Sequence, residues 1–177
     1  ISVLRPADAN ECAVAWRQAL EVDGPVALIL SRQNLPVLAE TADGALAGLP
    51  KGAYVLKDLG DAAPELCIVA TGSEVAIALE AADALAAEGH SIRVVSMPCM
   101  EWFLASPAAE RSAILPVGIP VVSVEAGSTF GWAAISDVAV GIDRFGESAP
   151  GPEVYAHLGI TAEAIAEVGR SAMTSAF

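Results

Sequence analysis

One arginine lies where an open α/β sheet would place a ligand. Val26 to Leu30 is a continuous apolar run, which is typical of a strand buried on both faces of a parallel sheet. Ser31, Arg32 and Gln33 follow it directly. Because such sheets bind ligands outside the carboxyl ends of their strands, Arg32 is a candidate binding residue. Its planar donor fork suits a phosphate or a carboxylate, whereas the alternative is a structural arginine that pairs with a nearby acid.

A second candidate is the turn formed by residues 71–74. Thr71-Gly72-Ser73-Glu74 follows an apolar strand and opens a helix, which is the position of a phosphate-binding turn. The turn has a single glycine and no P-loop lysine. Two interpretations therefore stay open: an anion site, or a capping turn in which Ser73 is the N-cap.

The other reactive side chains lack the partners that catalysis or metal binding requires. They are Glu125, His90, His157, Ser148, Cys12, Cys67 and Cys99. Glu125 ends a strand and is either a general base or a structural group that binds a backbone amide. The histidines and cysteines have no metal-ligand or triad spacing, and Ser148 has no nucleophile elbow around it. We predict no catalytic or metal-binding residue among them.

Strands and helices alternate along the chain, and this pattern predicts an α/β fold with a mostly parallel sheet. We predict strands at 1–5, 26–30, 54–56, 66–70, 92–97, 120–125 and 138–142, and helices at 9–21, 74–88, 107–115, 130–135, 152–158 and 162–173. Asp8 and Glu11 have the spacing of a capping box at the start of the first helix. Residues 37–52 are rich in turn formers and are predicted to be a loop or linker, and this segment is the best candidate for a domain boundary.

The composition excludes several classes of partner. The chain of 177 residues is 54% hydrophobic and has a net charge of −13. Phosphate backbones and anionic membrane surfaces attract clustered lysine and arginine, so we expect neither nucleic acid nor a membrane as a partner. No signal peptide or membrane-spanning run is recognisable, and three scattered cysteines favour a reducing, cytoplasmic location.

Seven segments together resemble the transketolase family. In chain order they are RPADANE at 5–11, LILSRQNLP at 28–36, KGAYVLKD at 51–58, ATGSEVAIALEAADALAAEG at 70–89, RVVSMP at 93–98, VEAG at 124–127 and FGESAP at 145–150. Each segment alone is weak, but the combination is specific and covers nearly the whole chain.

The resemblance implies a fold, a division of the chain and a reaction. The family uses thiamine diphosphate and a divalent cation, Mg²⁺ or Ca²⁺, and its homodimers move a two-carbon ketol unit between sugar phosphates. Residues 1–36 would be the end of the pyrimidine-binding domain, 37–52 the linker and 53–177 the C-terminal domain. That domain would have three α/β/α layers, about five strands, and one antiparallel edge strand at 54–56.

The resemblance also assigns one site residue. Arg32, in the SRQ motif, would bind the phosphate of the sugar. The family's catalytic, cofactor and metal residues would lie upstream of Ile1, so this piece alone is expected to bind no cofactor and to be inactive. Two alternatives stay open: a related thiamine-diphosphate enzyme, such as a keto-acid dehydrogenase or a deoxyxylulose phosphate synthase, and a non-catalytic anion-binding regulatory module.

Overall fold

The chain folds into two α/β units, described for residues 1–175 in a computed structural model. The strands are β1 (Ser2–Leu4), β2 (Val26–Leu28), β3 (Tyr54–Leu59), β4 (Leu66–Ala70), β5 (Ile92–Ser96), β6 (Val121–Val124) and β7 (Val138–Val140). The α-helices are α1 (Ala9–Glu21), α2 (Ala39–Gly48), α3 (Glu74–Ala87), α4 (Met100–Ala105), α5 (Ala108–Ile114), α6 (Gly151–Leu158) and α7 (Ala162–Thr174). Short 3₁₀ helices cover Leu49–Lys51 and Thr129–Ala134. The predicted α/β fold class is confirmed.

The first unit, β1-α1-β2, is a two-stranded parallel sheet with one crossover helix. The predicted strand 26–30 is shorter than expected, because β2 ends at Leu28 and the side chains of Ile29 and Leu30 are about half exposed, at 48% and 50%. Burial on both faces is therefore wrong for this strand within residues 1–175. β1 is its only strand partner there, which also leaves its other edge unpaired.

The second unit is a five-stranded sheet in the order β3-β5-β4-β6-β7. Four strands are parallel and β3 runs antiparallel to β5 at the edge, which confirms the predicted edge strand at 54–56. Every residue of β4 is buried, as its unbroken apolar sequence predicts.

The five-stranded sheet is the middle of three layers. Alternate residues of its strands point to opposite faces, so Ile68 packs in a core with α3 and α7 while Val69 packs in a second core. Phe103 of α4 and Trp132 of the second 3₁₀ helix close that second core. The three-layer α/β/α architecture is therefore confirmed.

Residues 37–52 are not the predicted loop, since most of them form α2 and the first 3₁₀ helix. The glycines that indicated turns instead allow close packing. A Cβ atom at Gly44 or Gly48 would lie 2.6 or 2.3 Å from the Tyr54 side chain. The contact of α2 with β3 thus stabilises a helix that its residues do not favour by themselves.

Candidate functional site

Arg32 lies in the segment between β2 and α2, which has no regular structure from Ile29 to Leu38. The side chain is exposed, and within residues 1–175 it forms no ion pair or hydrogen bond. Within the described residues, Arg32 is therefore not paired with an acid, as the structural alternative required. The guanidinium is presented to solvent at the carboxyl end of the small parallel sheet.

Asp8 fixes the C-terminal end of the segment that carries Arg32. Its Oδ1 accepts a hydrogen bond of 3.0 Å from the Glu11 amide and so caps α1, as the sequence predicts. Its Oδ2 accepts bonds of 2.8 Å from the Leu38 amide and 2.6 Å from the Thr41 hydroxyl at the start of α2. The segment is thus attached to β2 at one end and to α1 at the other.

A groove of about 470 Å³ lies beside the Arg32 segment. Ser31, Gln33 and Asn34 line one side, and Asp8 and Cys12 line the other. The groove lies between the segment after β2 and the beginning of α1, next to the candidate residue.

Glu11 joins the two units beneath this region. Its buried carboxylate accepts hydrogen bonds from the Tyr54 hydroxyl at 2.7 Å, the Ser96 hydroxyl at 2.6 Å and the Ala7 amide at 2.7 Å. Burial raises the pKa of Glu11, and the three hydrogen bonds partly oppose that rise. Because Tyr54 and Ser96 belong to the five-stranded unit, this carboxylate holds α1 against β3 and β5.

The turn 71–74 binds an arginine of the first unit. Its Gly72 amide donates a 3.0 Å hydrogen bond to the Arg5 carbonyl, and the buried Glu74 carboxylate lies 3.4 Å from Arg5 Nη2. Ser73 occupies the N-cap position of α3, as predicted, but its side chain makes no capping hydrogen bond, because the hydroxyl donates to Glu74 Oε1 at 2.6 Å instead. The buried Glu74 carboxylate, which pairs with the Arg5 guanidinium, therefore suits a cation and not an anion.

Glu125 has the structural role that the sequence left open. Its Oε1 lies 3.2 Å from Arg5 Nη1, and its Oε2 accepts a 2.7 Å hydrogen bond from the Trp132 indole. Sequence reasoning missed Arg5, although the signal was present. Arg5 is a cation directly after an apolar strand, which is the pattern that singled out Arg32.

The remaining candidates are dispersed. His90 and His157 lie near Glu65 and Glu147 at 3.4 and 3.7 Å, on the surface. Ser148 is exposed. No group of three metal-ligating side chains occurs among residues 1–175, and no helix in that range is long and apolar enough to cross a membrane.

Comparisons with known proteins identify the family to which this chain of two α/β units belongs. The doubly wound five-stranded unit matches the model of the transketolase-like TK C-terminal domain over residues 52–161. The chain therefore belongs to the transketolase family. It is 47% identical over 169 residues to the transketolase of Geobacillus stearothermophilus, which covers 92% of this chain and 25% of that protein.

Two solved structures extend the comparison. The transketolase of Pichia stipitis in complex with sedoheptulose 7-phosphate matches with a TM-score of 0.88 and 38% identity, over 97% of this chain and 25% of that one. A split-gene transketolase, described as an inactive β4 tetramer, matches with a TM-score of 0.75 and 28% identity, over 98% of this chain and 57% of that one. The chain thus spans about a quarter of the length of the first relative and of the Pichia protein.

Proposed function

We propose that this chain is the C-terminal part of a thiamine-diphosphate-dependent transketolase, which transfers a two-carbon ketol unit between sugar phosphates. In that protein, Arg32 binds the substrate phosphate. The observation that carries the proposal is an exposed arginine, without an acidic partner in residues 1–175, at the carboxyl end of a parallel sheet. A relative of the same fold forms a complex with a sugar phosphate, which supports this class of substrate.

The chain's contribution to the reaction would be to hold and orient the substrate. A guanidinium binds a phosphate through charge-assisted hydrogen bonds, and two parallel bonds also fix its orientation. Because Asp8 anchors the segment behind Arg32, the bound phosphate would have a defined position. Fixing one end of a sugar phosphate restricts where its reacting carbon can lie.

The cofactor would be held by the upstream part of the protein. Thiamine diphosphate supplies the carbanion chemistry in enzymes that use it, and a divalent cation binds its diphosphate. The side chains of residues 1–175 do not fit that role, since they offer no cluster of metal-ligating groups. We therefore propose no metal-binding residue in this chain, and the family resemblance implies no cofactor-binding or catalytic residue here.

We also propose that the full-length protein is a cytoplasmic homodimer of the pentose phosphate pathway. Residues 1–36 would complete its pyrimidine-binding domain, 37–52 would connect the domains, and 53–177 would be the C-terminal domain. The unpaired edge of β2 supports the first assignment, because it lies where further strands of a larger sheet would pair.

The isolated 177-residue chain should have no ketol-transfer activity. The inactive state of the split-gene β4 tetramer supports this expectation. The purified chain would be assayed with thiamine diphosphate, Mg²⁺ and two sugar phosphates. Turnover that persists after full-length enzyme has been removed by mass-verified purification would contradict the assignment of all catalytic groups to the upstream part.

Replacing Arg32 in the full-length protein tests the proposed site. Arg32→Ala should lower kcat/KM for a phosphorylated sugar by about 30- to 150-fold, which is the loss of about 2–3 kcal/mol of charge-assisted binding. A non-phosphorylated acceptor should lose much less, because it does not make the contact. Arg17→Ala is the matched control, since Arg17 lies on the exposed surface of α1 and pairs with Glu21. Equal losses for both acceptors would give Arg32 a structural role.

A further inference from the structure

The five-stranded unit has a topological switch point between β4 and β6. The chain passes from β4 to β5 on one side and then crosses to β6 on the other side of β4. The loops that follow β4 and β6 therefore diverge at the carboxyl edge of the sheet. Open α/β sheets bind their ligands in the crevice that such a reversal creates.

Arg5 occupies this crevice. Its backbone amide donates to the Pro98 carbonyl after β5 at 2.9 Å, and its carbonyl accepts from the Gly72 amide after β4 at 3.0 Å. Its guanidinium reaches Glu74 at 3.4 Å and Glu125, which follows β6, at 3.2 Å. One residue of the first unit thus contacts the ends of three neighbouring strands of the second.

The crevice has the charge of a cation site. Two carboxylates face one guanidinium, and each is oriented by a further donor from its own unit. Glu74 accepts from the Tyr155 hydroxyl at 2.6 Å and from the Ala126 amide at 3.1 Å, while Glu125 accepts from the Trp132 indole at 2.7 Å. These bonds fix both carboxylates in place before any ligand arrives.

We propose that the crevice between the ends of β4 and β6 is a guanidinium-binding site whose resident ligand is Arg5. The five-stranded unit thereby uses the ligand position of its fold to bind the first unit. The proposal assigns a role to the turn 71–74 that does not depend on the enzymatic activity of the full-length protein.

Chemical rescue of an Arg5 variant tests the proposal on the 177-residue chain. Arg5→Ala empties the site and should lower the Tm of the chain. About 50 mM methylguanidinium, with a Kd on the order of 10 mM, should then raise the folded-to-unfolded ratio about sixfold and the Tm by about 2–4 °C. Methylammonium at the same concentration should rescue much less, because it lacks the planar fork that matches two carboxylates.

Controls separate specific binding from a general solvent effect. Wild-type chain and Arg17→Ala, a surface arginine variant, should show no gain in Tm with methylguanidinium. If Arg5→Ala is unfolded at room temperature, methylguanidinium should induce folding, measured by circular dichroism, and methylammonium should not. The proposal would be overturned if methylguanidinium neither raised the Tm of Arg5→Ala nor induced its folding. It would also be overturned by equal rescue with both cations, or by rescue that persists in Arg5→Ala/Glu74→Gln.

Discussion

The hydroxyl of Tyr54 should stabilise the contact between the two units by about 2 kcal/mol. The hydroxyl donates to the Glu11 carboxylate at 2.7 Å, where both side chains are buried. Hydrogen bonds to charged groups contribute about 1.5–3 kcal/mol. Tyr54→Phe keeps the ring against α2 and leaves the carboxylate two of its three donors, Ser96 and Ala7. At about 2–4 °C per kcal/mol for a chain of this size, we expect the Tm to fall by about 4–8 °C.

The loss of stability in Tyr54→Phe should depend on pH in a defined direction. The pKa of Glu11 is raised by burial, so the folded state binds this proton more tightly than the unfolded chain does. The stabilisation that follows is fully present below the unfolded pKa and is lost as the pH rises through the folded pKa. The Tyr54 hydroxyl opposes the rise, so removing it should raise the pKa of Glu11 further. The difference between Tyr54→Phe and wild type should therefore be largest above the folded-state pKa of Glu11 and should shrink as the pH falls through that pKa.

Urea unfolding followed by tryptophan fluorescence at several pH values measures both effects. Ser148→Ala is the control, because it removes an exposed hydroxyl that has no hydrogen bond within residues 1–175. It should change the unfolding free energy by less than about 0.5 kcal/mol. A Tyr54→Phe variant as stable as this control at neutral pH, or one whose deficit grows on acidification, would refute the reasoning.

Two further predictions concern packing and burial. Gly48→Ala should destabilise the chain by about 1–3 kcal/mol in thermal unfolding, because the added Cβ would lie 2.3 Å from the Tyr54 ring, although alanine is the better helix former. Gly146→Ala is the control and should be near neutral, because nothing lies within 4 Å of its added Cβ. A Gly48→Ala variant more stable than wild type would contradict the predicted clash. Of the three thiols, Cys12 alone should react quickly with a thiol reagent in the native chain. Burial raises the pKa of the Cys67 thiol to about 11 and that of the Cys99 thiol to about 12. Fast modification of all three cysteines without denaturant would contradict the described core.

The parts of the fold that depend on neighbours in sequence were predictable. The unbroken apolar run of β4 indicated a buried strand, and the structure confirms it. The cap at Asp8 was identified because a cap and its amide partner are only two or three residues apart, and this cap is present.

The parts that depend on distant contacts were not predictable. α2 was missed because its glycines pack against Tyr54, which follows in a different element. The strand-end position of Arg5 was visible in the sequence, but its acidic partners were not, because Glu74 and Glu125 lie 69 and 120 residues further along the chain. The role of Arg32 came from a strand-end position together with the family resemblance, and it stays a prediction.

A crystal structure of the full-length protein with a bound sugar phosphate tests the central claim most directly. The quantity to measure is the distance from the Arg32 guanidinium nitrogens to the phosphate oxygens. The account predicts at least one distance of about 2.7–2.9 Å, as expected for a charge-assisted hydrogen bond. A phosphate bound wholly by other cations, with Arg32 beyond hydrogen-bonding distance, would contradict it.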